Sequence, residues 1–526
     1  LTRAMEESSP ENVSRSHRLT WALLALLLVV RLIAMIATPY FDTTEARYGE
    51  ISRKMVEMND WITLWFDYGD PYLSKPPFAF WLTALSFKLF GVREFVGRLP
   101  HLLISLVIVA LVGWLAGRRD KDALLPAVAL LFGIFLYFVL AGAVMVDVEF
   151  TLALTMTMTG FWLAMEDRER PPGAVDWPAA GLFFGGLVVG LLTRGPIAAV
   201  LPAMTLVLWT AWHRRGRDAW QRLPWLSGTL AALALSLPWY VLTEWHTPGY
   251  LRYFIIGEHF QRYLIPGWTG DRFGFAHKVP IGMVWVYAVL GTLPWSVIIP
   301  VSLWRWHKTR SLDTGGGGGA AAAPDDRAWR DYLLLWALVP MVFFTFSAQV
   351  NIPYVMPALP AATLLTVRWV VRRFGTGQPV MRALNIGLTF DLLLSIALLR
   401  AAMMPTAMAY RTDMYLVRAY QQAAAQTASG SSPAPLIYVG RRPTFSGQFY
   451  SRAHALGAEG PEQALALAGT HSAYLATTKP EAVIAWFDDY NKAHSGPGTA
   501  AQPPRSVTLV GRYGIRSLLL LAESPS

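Results

Sequence analysis

The sequence predicts an all-α polytopic membrane protein that carries a small α/β domain near its C-terminal end. Three observations lead there. Apolar residues make up 54% of the 526 positions and charged residues 15%, with a mean hydropathy of +0.35, a mix that a soluble globular domain does not have. Apolar runs close to the length that a helix needs to cross a bilayer, about 20 residues, recur along most of the chain. After residue 404 the pattern changes to short β-type and helical segments of ordinary polarity.

The first run, 18–39, follows a polar stretch with no cleavage signature, so a retained transmembrane helix is expected there. Further runs lie at 99–117, 123–144, 148–165, 178–193, 196–212, 224–243, 279–304, 329–347, 353–371 and 383–404, giving 11 spans. The Arg194-Gly195-Pro196 break and a further interfacial or re-entrant helix at 77–90 raise the upper expectation to 13. Basic residues cluster in alternate loops: Arg15 and Arg18, Arg118 and Arg119, Arg214 and Arg215, Arg305 and Lys308, Arg372 and Arg373. Those loops are expected in the cytoplasm, which puts residues 40–98, the Asp147 turn, 244–278, 348–353 and the C-terminal tail on the outer side. GGGGGAAAA (315–323) reads as a flexible linker. The division expected is a transmembrane domain at 1–404, with its outer loop at 40–98, and an α/β domain at 405–526. In the latter, PLIYVG, HSAYLATT and SVTLVGRYGIRSLLLLA read as strands, and PEQALALA and PEAVIAWFDDYNKA as helices opened by Pro.

The chain has no cysteine, so its chemistry rests on carboxylates, Lys, Arg, His, Ser or Tyr. Its formal net charge of +10 sits beside apolar ends and suits anionic membrane lipids; nucleic acid is not an expected partner. Residues 40–100 hold the densest ionisable cluster. There Asp42 and Glu45 are three apart, on one face if the segment is helical, although Asp42 also suits a helix cap. Asp147 stands with Glu149 in a turn too short to need charge for solubility, on the same side. Lys75 in SKPP and Arg194 in LLTRGP sit at outer ends of apolar segments, where an anion or lipid phosphates can be their partner. In GEHFQRY, Glu258, His259 and Arg262 fit one helical face, and His259 suits a phosphate, a metal or a carboxylate; no HExxH spacing occurs.

FDTTEARYGEISRKM, NDWITLWF, SKPPFAFWLTALSFKLFG, EFVGRLP, MVDVEF, LLTRGPIAAVLPA, EHFQRY and IPYVMPALPA follow one another as in the bacterial protein-mannosyltransferase-like branch of the C-type membrane glycosyltransferases, which the chain resembles over roughly 19–365. Within that branch it is similar to the group that adds aminoarabinose to lipid A. The resemblance implies a GT-C type fold and an inverting enzyme at the periplasmic face of the bacterial inner membrane. Its donor would be an undecaprenyl-phosphate-linked sugar and its acceptor lipid A, a reaction that gives polymyxin resistance. It further implies catalytic roles for Asp42, Glu45 and Asp147, donor-phosphate binding by Lys75, Arg194 and Arg47, and substrate contacts from Tyr72, Tyr354, His259 and Arg262. No cofactor is required by it, with a divalent metal at His259 and Glu258 as an option. Thr44, Ser74 and Asn351 stand where family members often have an acid, a Glu or Gly, and a Lys. A protein O-mannosyltransferase fits the same framework, and a transporter is a more distant alternative.

Overall fold

The computed structural model describes residues 10–166, 171, 174–274, 278–301, 324–427, 434–469, 471–494 and 505–523; the linker at 315–323 lies outside them. The chain divides into two compact units, one of Leu1–Met35 with Met55–Ile396 and one of Ile36–Lys54 with Ala397–Ser526.

The first unit is helical and polytopic. Among the described residues, seven helices are long and apolar enough to cross a membrane: Ser14–Ala37, Glu94–Arg119, Val146–Glu166, Trp177–Arg194, Trp225–His246, Ile352–Phe374 and Gln378–Ala402. Met283–Gly291 and Trp295–Val301, bent by 82°, make an eighth if taken as one span. Several apolar runs that looked continuous are broken. The run at 123–144 forms two short helices, Leu124–Phe132 and Phe135–Leu140, separated at Gly133 and closed before Gly142, whose φ of +87° a side chain would resist. The run at 196–212 gives Ile197–Trp212, of 16 residues. The run at 329–347 lies in Pro324–Thr345, whose first two turns are rich in charge. Hydropathy registers how oily a segment is, whereas glycine and proline decide how long its helix runs straight.

The Val146–Glu166 and Trp177–Arg194 helices form an antiparallel pair that brings the start of one beside the end of the other. They approach closely because Gly160 and Gly186 face the partner backbone, where a Cβ would have no room. A fully buried contact series, His101 Nδ1 to Glu149 Oε1 at 2.5 Å and His101 Nε2 to Thr83 Oγ1 at 2.9 Å, ties the first turn of Val146–Glu166 to the helices Glu94–Arg119 and Phe78–Phe90. Phe78–Phe90 occupies the stretch expected as an extra interfacial helix. Ahead of it, strands β1 (Trp65–Asp67) and β2 (Asp70–Pro71) make a small hairpin.

The second unit is built on a mixed five-stranded sheet in the order β4-β3-β5-β7-β6. Its strands are β3 (Leu436–Val439), β4 (Ala455–Ala458), β5 (Ala473–Thr477), β6 (Arg505–Tyr513) and β7 (Arg516–Glu523). β3 runs parallel to β4 and β5, while β7 is antiparallel to both β5 and β6. Alternation along the strands sorts the core: Ile437, Val439, Leu475, Leu519 and Leu521 pack with Ala464, Val483 and Phe487 of the helices Pro461–Ala468 and Pro480–His494. Leu436, Tyr438, Tyr474, Ala476 and Leu518 face Leu416, Val417 and Tyr420 of Met414–Thr427. SVTLVGRYGIRSLLLLA forms the hairpin of β6 and β7, turning at Gly514 with φ +62°.

Residues 36–54 of this unit pack through buried polar bonds. Ser446 gives its backbone N–H to Asp42 Oδ1 at 3.0 Å and its hydroxyl to Oδ2. Tyr40 N–H donates to Tyr450 Oη at 2.8 Å, and Lys54, fully buried, donates to Gln448 Oε1 at 3.0 Å. Arg53 grips Glu50 with two N–H groups at 2.7 and 2.8 Å. Asp413 collects Tyr438 Oη at 3.1 Å, Thr444 Oγ1 at 2.5 Å and the Arg516 guanidinium.

Candidate active site

The helical pair of the first unit builds one edge of the site. Asp147 lies in the first turn of Val146–Glu166 and Arg194 in the last turn of Trp177–Arg194, so each charge sits where its helix dipole favours it. Because the pair is antiparallel, both arrive at one end and form a buried ion pair. The Arg194 guanidinium also lies 5.5 Å from the Phe150 ring and 5.0 Å from that of Tyr354. Gly195, at φ +69°, closes the helix and lets Phe254 approach closely.

A second edge, in contact with the first, is a π-helix, Arg252–Gln261, a rare winding that recurs at functional positions. It presents Glu258 and His259, and Arg262 follows one residue beyond. Lys75 Nζ donates to Glu258 Oε2 at 2.8 Å and Arg262 Nη1 donates to the same oxygen at 2.9 Å. Ser74 steadies the lysine through its carbonyl at 2.8 Å and its hydroxyl at 2.9 Å. Burial pushes the Glu258 carboxyl up, but Lys75 and Arg262 outweigh it and hold the group at about 2. His259 faces two carbonyl oxygens, Phe254 O at 2.8 Å from Nδ1 and Arg194 O at 3.0 Å from Nε2. Burial lowers its pKa, so near neutral pH the ring has one N–H to share between them.

Between these edges lies a cavity of about 450 Å³. Lys75, Arg194, Glu258, His259, Arg262 and Tyr354 line its polar side, and Ile197, Val200, Phe254, Phe343 and Phe344 its apolar walls. It offers cationic N–H groups beside an oily trough, which is the chemistry of an anion borne on a hydrocarbon chain.

Residues 17–254 match the family of dolichyl-phosphate-mannose-protein mannosyltransferases. An undecaprenyl phosphate-α-4-amino-4-deoxy-L-arabinose arabinosyl transferase of Erwinia tasmaniensis is 29% identical over 68% of this chain and 60% of its own length. Proteins of the same name from Pseudomonas aeruginosa (29% identical, 73% of this chain and 66% of theirs) and Aeromonas salmonicida (32%, 66% and 59%) are similar. Over these stretches the chain is similar to the protein mannosyltransferases and to the arabinosyl transferases. It spans about 60% of the length of the curated relatives that it matches. Its fold is that of ArnT from Cupriavidus metallidurans, solved bound to undecaprenyl phosphate, with a TM-score of 0.70 at 19% identity over 95% of this chain and 97% of that one.

The structure gathers six of the sequence-derived site residues, Lys75, Arg194, Glu258, His259, Arg262 and Tyr354, around one cavity, with Asp147 attached through Arg194. Tyr72 is instead buried in an aromatic cluster with Phe66, Phe80 and Phe273. Asp42, Glu45 and Arg47 belong to the second unit, where Asp42 is bound to Ser446 and Arg47 lies 6.0 Å from the Phe445 ring. Burial pushes the Asp42 carboxyl up to about 6 against the lowering effect of Ser446.

A metal at Glu258 and His259 fits the donor set poorly. Both ring nitrogens of His259 face carbonyl oxygens, Glu258 is held by two cations, and among the described residues no group of three or more His, Asp or Glu is placed to share an ion. Sequence reasoning missed Ser347 and Gln349, which also line the cavity. The only signal they offered was polarity in a short turn between two apolar runs.

Proposed function

We propose that this chain is an inverting glycosyltransferase that moves 4-amino-4-deoxy-L-arabinose from undecaprenyl phosphate to phosphate groups of lipid A, at the periplasmic face of the bacterial inner membrane. The observation that carries the reading is the cavity that sets Lys75, Arg194 and Arg262 against an apolar wall. Polyprenyl phosphates have that polarity, and the named relatives act on one. The proposed architecture is of GT-C type with 11 to 13 spans. An odd number puts the loop at 40–98 and the α/β domain at 405–526 in the periplasm.

Inversion needs an acceptor on one face of the sugar and a stabilised leaving group on the other. Lys75 and Arg262 converge on one carboxylate oxygen, so they are spaced to converge on one phosphate oxygen. A donor phosphate would take up their N–H groups in competition with Glu258, and they would hold it more strongly as negative charge builds on the departing oxygen. Arg194, kept in place by Asp147 and two aromatic rings, adds a fixed positive charge to the lining of the same cavity. A lipid A phosphate acceptor is already ionised and needs no general base. Asp147 then orients Arg194 and helps to offset positive charge on the sugar. Glu45 and Arg47 keep the roles that the resemblance implies, and Asp42 is assigned to the packing of its own unit.

Product modification of lipid A makes its surface less anionic, which is the expected basis of resistance to cationic peptides such as polymyxin. Mass spectrometry of lipid A from cells with and without this chain is the direct test; spectra without an aminoarabinose increment would overturn the assignment. The description of the matched family favours one second reading, a polyprenyl-phosphate-dependent protein O-mannosyltransferase. Transfer to a serine- or threonine-containing peptide, with none to a lipid A precursor, would establish it instead.

A further inference from the structure

The cavity holds a polar side chain that the ion pairs described above leave unused. Gln349 is 2% exposed, and both its amide oxygen and its amide nitrogen are buried without a hydrogen-bond partner. A buried amide left in that state is costly, and native proteins rarely tolerate one without an occupant of the adjoining space.

The segment that carries it is well fixed. Ala348 N–H donates to Tyr263 O at 2.8 Å, which ties the turn to the strip bearing Glu258 and Arg262. Ser347 Oγ donates to Gln349 O at 3.0 Å, and Val350, next along, is buried. Gln349 therefore borders the cavity from an anchored backbone. The charged groups of the lining are cations, suited to phosphate, together with one carboxylate already held by two of them. An amide differs in kind: it is neutral and offers one acceptor beside two donor hydrogens, so a hydroxyl or an amine can answer both halves, whereas an anion can answer only the donors.

We infer that Gln349 is the residue of this cavity that reads the sugar of the donor, giving hydrogen bonds to its hydroxyl or amino substituents while Lys75, Arg194 and Arg262 take the phosphate. This rests on the proposed polyprenyl-phosphate-sugar reading and deepens it. The inference divides the cavity chemically into a sugar-reading and a phosphate-reading part, and so predicts that the two can be separated by substitution.

The test uses the full chain in lipid nanodiscs with two ligands, undecaprenyl phosphate and undecaprenyl-phosphate-linked aminoarabinose. Gln349→Leu should weaken binding of the sugar-bearing donor roughly 5- to 50-fold and leave undecaprenyl phosphate within about twofold of wild type. Its thermal stability should equal or exceed that of wild type, because an unpaired buried amide is removed. Gln349→Met, close in shape, gives a second reading if the leucine variant folds poorly. Equal weakening of both ligands would make Gln349 a structural or phosphate residue, and unchanged binding of both would mean that only water answers the amide. Either result overturns the inference. Binding of neither ligand by the wild-type chain would overturn the proposed function itself, and the inference with it.

Discussion

Removing the Lys75 ammonium by Lys75→Met tests the phosphate reading and the electrostatics of the cavity together. Glu258 is held at about 2 against an ordinary 4.5. At about 1.4 kcal/mol per pKa unit that difference is on the order of 3 kcal/mol, supplied jointly by Lys75 and Arg262 after burial is overcome. The sign follows from the lowered value: the stabilisation is fully present above about 4.5 and is lost as the pH falls toward 2. With Lys75 gone, burial is opposed mainly by Arg262, the carboxyl titrates at higher pH, and acid destabilisation should begin nearer neutrality. Thermal unfolding of the protein in nanodiscs between pH 4 and 7 reads this directly. The same variant loses a charge-assisted hydrogen bond to the donor phosphate, worth about 1.5–3 kcal/mol, and so should lose roughly 10- to 150-fold in kcat/KM. Wild-type kcat/KM together with an unmoved acid limb would refute the reasoning; a moved acid limb with full activity would keep the ion pair and remove Lys75 from catalysis.

Three further outcomes are expected. Arg194→Lys keeps a charge near Asp147 but not the guanidinium that lies over the Phe150 and Tyr354 rings, so it should retain partial transfer where Arg194→Ala loses it, as measured by lipid A mass spectrometry. Asp42, raised from 3.8 to about 6, favours the folded state most when protonated, so its contribution is complete below about 4 and is lost as pH rises through 6; Asp42→Asn should flatten that part of the stability profile in thermal unfolding at pH 4 to 7. A phosphatase fused after residue 523 should be active if the C-terminal domain is periplasmic, and a silent fusion whose cytoplasmic counterpart is active would exclude an odd number of spans.

The sequence by itself determined the class of the molecule. Composition and apolar run length are local quantities, and they suffice to demand helices in a membrane because no other arrangement of those segments satisfies the backbone there. The C-terminal strands and helices were legible for the same reason: short apolar β-type runs in PLIYVG and HSAYLATT and Pro-led helical stretches are local signals. Asp147, Lys75 and Arg194 stood out because charge at the end of an apolar run is expensive without a partner or a use. Which partner each found was decided only by the tertiary structure. Lys75 meets Glu258 across 183 positions, and Asp42 meets Ser446 across 404, and no local pattern encodes either meeting. Gln349 carried no motif at all; its interest arises from burial without a hydrogen bond, a property of the packed chain. The straightness of the apolar runs was likewise settled in three dimensions, where Gly133 and Gly142 end helices that hydropathy alone would have continued. Burying a charge or an amide is tolerable only where packing brings a complementary group to it, so the site was set by the fold, while the need for a fold of this kind was already written in the chain.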